Sequence, residues 1–348
     1  MLVIVTILHL IGIFTMSSIH INHAKIHFLR GILGLCITYG ISRIQPQFWF
    51  KHSITFYLLN ISSLILVFLI RSINGAHRWL KFASITIQPS ELSKICIILF
   101  ISYYIHTNEL KNKFDQQLEI FLCSIFTLLL IIKQPDLGTA TVIILIILSL
   151  IYLAKIISLT QISIISCITL SITPIIWSKL HNYQKDRILI FINPNSDSRG
   201  KGFHIQQALT AVGSGGIYGK GWKCGTQAKY GFLPECCTDS IFAHFAEEFG
   251  IIGCILILIL YIMLYFSIIY RFTFMKIRFY QIMTCGIANY ILIQALLNIS
   301  MIIGLCPIVG IPLPFISYGG SSILSLYIAL GIIESIRIHG EKAIVSSR

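Results

Sequence analysis

The sequence predicts an all-α polytopic membrane protein that crosses the bilayer about ten times. Three observations support this fold class. Of the 348 residues, 56% are hydrophobic and only 11% are charged, whereas an ordinary soluble domain has roughly 25% charged residues. The apolar residues occur in long runs, and a spanning helix needs about 20 of them. A water-soluble globule is therefore excluded.

Proline, glycine and charged residues divide the apolar sequence into ten candidate spans. The fifth is the shortest. It contains Glu119 and is followed at once by the chain-breaking segment Lys133-Gln134-Pro135-Asp136. The first run has neither a basic segment before it nor a cleavage site after it, so we expect a span and not a cleaved signal peptide. The spans lie near residues 2–19, 28–44, 54–71, 90–106, 118–132, 138–154, 160–178, 247–270, 280–303 and 313–336.

The distribution of basic residues gives an orientation. An even number of spans places both termini on one side, and Lys and Arg in the short connections favour the cytoplasmic side for them. The long connection between spans 7 and 8, residues 179–243, is then a large extracytoplasmic loop. Long loops without secondary structure are usually functional. No repeat or second domain is visible, so we interpret residues 1–348 as a single membrane domain.

The ten cysteines include seven that lie in or beside apolar runs, where a thiol behaves as a small hydrophobic group. The other three, Cys224, Cys236 and Cys237, share the long loop. If that loop faces an oxidising space, Cys224 could form a disulfide with Cys236 or Cys237, although free thiols are the simpler expectation. No cysteine spacing matches a zinc site.

The net charge of +13 arises from 26 Lys and Arg against 13 Asp and Glu. This balance favours anionic lipid head groups or an anionic substrate over nucleic acid as the partner. Ionisable groups at the bilayer boundary are costly, so those that remain there indicate a function or a mutual pairing. Four polar clusters occur at such boundaries, all on the outer side in the expected orientation.

The first two clusters precede the fourth and sixth spans. In the first cluster, Arg78 is followed by Gln88-Pro89-Ser90-Glu91. Glu91 and Lys94 are three residues apart on one helix face, where they could form an internal ion pair or bind a ligand. The second cluster is Lys133-Gln134-Pro135-Asp136. Asp136 is suited to cap the sixth helix, since an acid there gains from unpaired amides and the helix dipole.

The third cluster is the long loop, and the fourth precedes the last span. Glycines in the loop allow backbone amides to approach an anion, and Arg187 and Lys220 are suited to a phosphate. This glycine-rich segment is not a P-loop, because the surrounding pattern is absent. The fourth cluster runs from Pro307 to Ser322 and contains three prolines, which predict a rigid lip on the surface.

These four clusters, in this order, closely resemble the SEDS family (shape, elongation, division and sporulation) across nearly the whole chain. The branch that functions in elongation is the more similar one, on the basis of residues 134–138, 219–222 and 225–227. Three features depart from the family pattern: Ser240 replaces the usual Phe, Ala208 replaces a Ser, and the N-terminal segment is very short. The markers are His77-Arg78-Trp79, Gln88-Pro89-Ser90-Glu91, Gln134-Pro135-Asp136-Leu137-Gly138-Thr139, Leu233-Pro234-Glu235 with Thr238-Asp239, and Ser317-Tyr318-Gly319-Gly320-Ser321.

The resemblance implies a peptidoglycan glycosyltransferase that polymerises lipid II at the outer face of the bacterial cytoplasmic membrane during cell elongation. Asp239 matches the family's essential loop aspartate and is the expected general base. The pyrophosphate leaving group calls for cations or a divalent metal, Mg²⁺ or Mn²⁺. A class B penicillin-binding protein is the expected partner. The expected substrate-binding residues are Arg78, Glu91, Lys94, Asp136, Arg187 and Lys220.

Three alternatives remain at this point. A lipid II flippase would use the same cationic cavity without needing Asp239. A non-catalytic scaffold for a transpeptidase would need only a contact surface. A polymerase of the division branch would share the chemistry but act at another stage of growth.

Overall fold

The computed structural model describes residues 1–69, 78–82, 85–109, 112–156, 158, 160–161, 163, 182–193, 200–270 and 275–345. These residues are mostly helical, which confirms the predicted all-α fold class. The helices are α1 (Leu2–Ser17), α2 (Ile21–Ser42), α3 (Pro46–Lys51), α4 (Ser53–Leu69), α5 (Pro89–Thr107), α6 (Lys113–Lys133), α7 (Leu137–Leu153), α8 (Asn182–Ile192), α9 (Lys201–Gly215), α10 (Thr226–Lys229), α11 (Ile241–Ile269), α12 (Arg278–Ile302) and α13 (Gly320–Val345).

Five helices, α2, α6, α11, α12 and α13, are long and apolar enough to cross a membrane, and α1, α4 and α7 are shorter apolar helices. Helix α5 corresponds to the predicted fourth span. Nine of the ten predicted spans therefore coincide with helices among the described residues. The seventh, near 160–178, lies outside the described residues apart from a few positions at its start.

Several predicted spans have different boundaries in the structure, and the fifth and the last illustrate the reasons. The fifth is not short, because α6 has 21 residues and begins at Lys113. Asp115 in its first turn interacts favourably with the helix N-terminus, so the polar start is compatible with a helix. The last span begins at Gly320 and not at residue 313, since Pro312 and Pro314 cannot donate helix hydrogen bonds.

The long connection contains three helices, α8, α9 and α10, so the expectation of a loop without secondary structure is wrong. Helix α11 also begins earlier than predicted and is interrupted at Gly250, whose φ of 65° is not helical. The segment that follows α9 docks into this interruption. The carbonyls of Glu247 and Glu248 accept hydrogen bonds from the amides of Lys220 and Gly221, both at 3.0 Å. The break is thus compensated by backbone bonds from elsewhere in the chain.

Helix α13 packs closely along α2 because small residues face large ones. A Cβ on Gly34 would lie 2.1 Å from the Tyr327 ring, so glycine is needed for this approach. The Thr38 hydroxyl donates to the Tyr327 carbonyl at 2.9 Å. Within their spanning windows α12 and α13 are 72% and 78% buried, whereas α6 and α11 are each 28% buried. Helices α12 and α13 are therefore central, and α6 and α11 are peripheral.

A small hairpin was not expected from the sequence. Strands β1 (Leu80–Phe82) and β2 (Ile85–Ile87) pair antiparallel, with Leu80 opposite Ile87. The hydroxyl of Ser321 donates to the carbonyl of Thr86 at 3.2 Å and accepts from the amide of Gln88 at 3.1 Å. The hairpin is thereby attached to the first turn of α13, directly before α5 begins.

Candidate functional site

Side chains from all four polar clusters line one cavity of about 390 Å³. Five of the predicted site residues are among them. The cavity lies where α5, α7, α11 and α13 begin, so it is at one end of the bundle. Its lining comprises Arg78, Trp79, Gln88, Glu91, Lys94, Asp136, Thr139, Val142, Glu235, Thr238, Asp239, Gly310, Ile311, Pro312, Tyr318, Gly319, Gly320, Ser321 and Ser322.

Asp136 caps α7, and it also connects that helix to α5. Its Oδ1 accepts from the amide of Thr139 at 3.3 Å, as the sequence interpretation of a helix cap expects. Its Oδ2 accepts from Gln88 Nε2 at 2.9 Å and from Ser90 Oγ at 3.0 Å. The residue Asp136 is 6% exposed. Three donors hold it in one orientation at the cavity wall.

Arg78 is positioned by the turn between α6 and α7. Its Nε donates to the carbonyl of Gln134 at 2.7 Å, and an Nη donates to the carbonyl of Pro135. Gln134 is in turn fixed through its side-chain amide, which donates to the carbonyl of Leu64 on α4 at 3.0 Å. No carboxylate pairs with Arg78 among the described residues. Its positive charge therefore contributes to the cavity.

Glu91 and Lys94 form a buried ion pair on α5. Lys94 Nζ donates to both oxygens of Glu91 at 2.9 Å and to Gln294 Oε1 at 2.8 Å. It also lies 5.0 Å from the centroid of the Tyr290 ring. Lys94 is 1% exposed, and Glu91 is 5% exposed. The ion pair that the three-residue spacing predicts is therefore formed, and both residues also line the cavity.

Asp239 lies in the short segment that enters α11. That segment is held through its backbone: Asn298 Nδ2 donates to the carbonyl of Asp239 at 2.9 Å, and Ser317 Oγ donates to that of Thr238 at 2.7 Å. Gly310 faces the carboxylate, since a Cβ there would lie 3.1 Å from Asp239 Oδ2. Asp239 directly precedes Ser240, the N-cap of α11.

A second cavity, of about 220 Å³, lies on the other side of Asp239. It is more apolar than the first, with Ile190, Ile205 and Ile308 in its wall. Asp239, Glu235 and Gly310 line both cavities. Ser240, which departs from the family pattern, also lines the second cavity and is the N-cap of α11. Asp239 therefore lies at the border between a polar and an apolar compartment.

Two predicted substrate-binding residues are not placed in these cavities. Lys220 Nζ donates to Glu247 Oε1 at 2.6 Å and to Thr226 Oγ1 at 3.1 Å, and it lines neither cavity. The backbone of Arg187 lies on α8, but its side chain is outside the described part of the chain. Their binding roles stay predictions of the sequence.

Glu247 and Glu248, in the first half of α11, line neither cavity. Glu247 Oε1 accepts from Lys220 Nζ, from the amide and hydroxyl of Thr226 at 2.8 and 3.0 Å, and from the amide of Gln227 at 3.2 Å. Glu248 Oε1 accepts from the amide of Lys223 at 2.9 Å. Both carboxylates attach the loop to α11.

Sequence reasoning missed three residues near the cavity. Gln294 and Asn298 are fully buried on α12, and they are one turn apart in an apolar helix, which was a usable signal. Asn298 also donates to the carbonyl of Ile311 at 2.6 Å. Arg30 on α2 stacks on Tyr318, with 4.4 Å between its Cζ and the ring centroid. Its Nη1 is buried and has no hydrogen-bond partner in the described part of the chain.

The charges of the cavity lining do not balance. Four carboxylates, those of Glu91, Asp136, Glu235 and Asp239, are accompanied by two cations, Arg78 and Lys94. The excess of basic charge over the whole chain is therefore not reproduced in the cavity. An anionic ligand in this cavity needs additional positive charge beyond that of the described lining.

The three loop cysteines are free thiols in the structure. The Sγ atoms of Cys236 and Cys237 lie 3.9 Å apart. The hydrogen bond that Cys236 receives from Cys237 lowers the pKa of the Cys236 thiol to about 6, and the nearby His244 and His20 lower it further. The same hydrogen bond and burial raise the pKa of the Cys237 thiol. No disulfide joins Cys224 to Cys236 or Cys237 in the structure.

With this geometry established, comparison with known proteins identifies the family. The family model FtsW/RodA/SpoVE, described as cell cycle protein, matches residues 1–342. The chain belongs to the FtsW/RodA/SpoVE family. This confirms the resemblance to SEDS proteins that the four clusters indicated. Family membership also makes the chain a multi-pass membrane protein, in agreement with its apolar helices.

Individual relatives of this family cover most of the chain. The peptidoglycan glycosyltransferase MrdB of Escherichia coli is 36% identical over 313 residues, which is 88% of this chain and 83% of that protein. The rod shape determining protein RodA of Thermus thermophilus has a crystal structure that is 21% identical, with a TM-score of 0.73 over 97% of this chain and 95% of that one. A chain from a peptidoglycan synthase complex that coordinates polymerization and crosslinking is 23% identical, with a TM-score of 0.85 over 97% and 96% of the two chains. At these identities the two structures show the shared fold.

Proposed function

We propose that this chain is a peptidoglycan glycosyltransferase of the elongation branch that polymerises lipid II into glycan strands. The observation that carries this proposal is the position of Asp239, at the border of a polar cavity with two cations and a more apolar cavity. MrdB of E. coli, which is named for this activity, is 36% identical over most of both chains. The activity class follows from that relationship.

Asp239 is assigned as the general base. A sugar hydroxyl that attacks an anomeric carbon must lose its proton, and a carboxylate within hydrogen-bond reach can accept it. The backbone of the segment is fixed by Asn298 and Ser317, and Gly310 leaves room beside Oδ2. The segment that carries the carboxylate is thus held in place, and glycine at position 310 avoids a close side-chain contact with Oδ2.

Arg78 and Lys94 are assigned to the pyrophosphate that leaves when the glycosidic bond forms. Charge develops on that group in the transition state, and pre-positioned cations stabilise it most where water is excluded. Arg78 is fixed by two backbone carbonyls, and Lys94 by Glu91 and Gln294. Because Glu91 and Gln294 take the three N–H groups of Lys94, this lysine contributes through its charge and not through a direct hydrogen bond to the phosphate.

A divalent cation, Mg²⁺ or Mn²⁺, fits the charge balance of the cavity. The lining has four carboxylates and two cations, and one divalent ion would neutralise the difference. Mg²⁺ is commonly bound by one or two carboxylates together with substrate phosphates. Glu235 is the carboxylate we assign to it, because Lys94 neutralises Glu91 and three donors occupy Asp136. When bound, the ion supplies Lewis-acid stabilisation of the pyrophosphate.

The proposed partner is a class B penicillin-binding protein, which would crosslink the strands that this chain polymerises. The fold is shared with a chain of a complex that coordinates polymerization and crosslinking. The proposed location is the bacterial cytoplasmic membrane with both termini in the cytoplasm, as the basic residues of the short connections favour. The cavity then opens to the outer face.

The test is glycan synthesis by purified protein in detergent or nanodiscs, supplied with lipid II and Mg²⁺ or Mn²⁺, with and without its penicillin-binding protein. We expect Asp239→Asn to lower the rate of polymer formation at least about 100-fold, because general acid–base catalysis contributes roughly that factor. Its thermal unfolding midpoint should stay close to that of wild type. Asp115→Asn, a substitution at an exposed helix start, is the matched control.

Polymerisation at the wild-type rate by folded Asp239→Asn would contradict the assigned mechanism. Lipid II movement across vesicle bilayers by wild-type protein that makes no polymer under any of these conditions would instead support the flippase alternative. Absence of both activities in folded protein with its partner would support the scaffold alternative.

A further inference from the structure

A cluster of metal-binding side chains lies beside the site but outside the mechanism proposed above. It consists of His20, in the turn between α1 and α2, and of Cys236 and Cys237, in the segment that precedes Asp239. One potential ligand atom from each residue lies within 4.8 Å of the other two. The residues come from opposite ends of the chain, so only the fold brings them together.

The geometry of the two thiols suits a tetrahedral metal. Two thiolates bound to one Zn²⁺, with bonds of about 2.3 Å, lie about 3.8 Å apart in a tetrahedral arrangement. The Sγ atoms of Cys236 and Cys237 are 3.9 Å apart. A disulfide would require them to approach to about 2.05 Å. The observed separation therefore matches shared coordination without a change in the backbone.

The chemistry of the ligands restricts the class of metal. Thiolate and imidazole together favour Zn²⁺ and related thiophilic ions, whereas Mg²⁺ and Mn²⁺ prefer carboxylate and phosphate oxygen. This cluster is thus chemically separate from the carboxylate cavity. Three protein ligands leave a fourth coordination position, which is open in some zinc sites and filled in others.

The surroundings offer both access and further ligands. His20 is exposed, so an ion can enter from solvent. The ring of His23 lies 5.1 Å from that of His20, and its Nδ1 is buried without a hydrogen-bond partner among the described residues. His244, which is fully buried, has an Nδ1 in the same condition. These two imidazoles are the candidates for a fourth ligand.

We propose that His20, Cys236 and Cys237 bind one thiophilic divalent cation of the Zn²⁺ class, which ties the α1–α2 turn to the segment that carries Asp239. The carbonyl of Cys237 already accepts from the amide of Tyr318 at 2.8 Å, and Tyr318 lines the polar cavity. A bound ion would add a second anchor on the other side of this segment. The site does not depend on the proposed glycosyltransferase activity.

The experiment measures metal binding to the full-length, reduced protein in detergent. Zn²⁺ content is determined after equilibration and gel filtration, and Co²⁺ is used as a spectroscopic probe because thiolate coordination gives charge-transfer absorption. The variants are Cys236→Ser, Cys237→Ser and His20→Asn. Cys224→Ser is the matched control, since Cys224 is an exposed cysteine of the same loop that lies outside the cluster.

We expect wild type and Cys224→Ser to bind one more equivalent of Zn²⁺ than Cys236→Ser or Cys237→Ser. The charge-transfer band should be lost in both cysteine variants of the cluster. His20→Asn should retain thiolate absorption but need at least about tenfold more free Zn²⁺ for half-saturation. Ligand binding to the native state raises stability, so Zn²⁺ should raise the unfolding midpoint of wild type and of Cys224→Ser. It should raise that of His20→Asn only at higher Zn²⁺ concentrations, and it should not change that of Cys236→Ser or Cys237→Ser.

Folding of each variant is checked from its unfolding midpoint without metal, which should be near that of wild type. Equal Zn²⁺ content in Cys236→Ser and Cys224→Ser would overturn the proposal. Reduced wild-type protein that binds no Zn²⁺ would also overturn the proposal. If the protein as isolated is also two hydrogens lighter in mass, Cys236 and Cys237 are joined as a disulfide instead.

Discussion

Two lysine–glutamate pairs of this molecule have the same chemistry and different surroundings: both partners are buried in the Glu91–Lys94 pair, whereas Lys220 is partly exposed in the Lys220–Glu247 pair. In the Glu91–Lys94 pair the lysine is the centre, since it donates to both carboxylate oxygens and to Gln294. In the Lys220–Glu247 pair the carboxylate is the centre, and it also accepts from Thr226 and Gln227. Only the first pair lines the cavity that contains Asp239.

The difference shows that an ion pair is not a functional signal by itself. Glu247 is saturated by donors from the segment that docks at the Gly250 break, so its contacts account for its burial. The Glu91–Lys94 pair is also internally satisfied, but it borders a space large enough for a ligand. We therefore expect the first pair to determine activity and the second to determine stability.

The largest expected effect concerns the pair at the cavity. Glu91→Gln and Lys94→Met should each destabilise the protein, because one buried charge then lacks its partner. The double variant removes both charges and should regain most of the lost stability. We expect its polymerisation rate to stay at least about 100-fold below wild type, as for loss of a donor to developing charge.

The measurement combines thermal unfolding with the rate of glycan formation per folded molecule. The double variant Glu334→Gln/Arg337→Met is the matched control, since this i, i+3 pair lies on α13 and outside the cavity lining. If the Glu91/Lys94 double variant regained full activity, the pair would be only an internal support between helices.

The second effect is on stability. Glu247→Ala removes the acceptor for four donor groups, two of which are backbone amides, so we expect a loss of about 2–4 kcal/mol in the free energy of unfolding. It is measured from denaturant unfolding in mixed micelles. Glu109→Ala is the control, because Glu109 pairs with Arg278 at 3.6 Å on the surface, where such pairs contribute about 0–1 kcal/mol.

A Glu247→Ala protein as stable as the Glu109→Ala control would contradict the structural role given to Glu247. Activity per folded molecule should remain within about threefold of wild type, since the residue lines neither cavity.

The smallest effect separates the two interpretations of Lys220. As a partner of Glu247, it shares that carboxylate with backbone donors, so we expect Lys220→Ala to cost about 1–2 kcal/mol and to leave turnover nearly unchanged. Lys229→Ala, an exposed lysine in the same loop, is the control and should change stability by less than about 0.5 kcal/mol. A folded Lys220→Ala protein with turnover reduced more than about tenfold would show that Lys220 acts on the substrate, as the sequence predicts.

Much of this site could be predicted from the sequence because its signals are local. The cap at Asp136 depends on a residue directly before a helix, and the Glu91–Lys94 pair depends on a three-residue spacing. Gln294 and Asn298 are not predicted, because the candidate site residues are selected by charge and these two side chains are neutral amides. The sequence assigns Lys220 to the substrate because a basic residue among glycines suits a phosphate. Nothing local indicates that Glu247 lies against it.

The sequence by itself determined the fold class, nine helices of the described chain and the four polar clusters, since hydropathy and capping depend on neighbouring residues. Only the tertiary structure decided which clusters share a cavity, where the loop docks on α11, and that His20 meets Cys236 and Cys237. The physical reason is distance along the chain. Contacts between remote segments depend on how whole helices pack, and no local spacing records that.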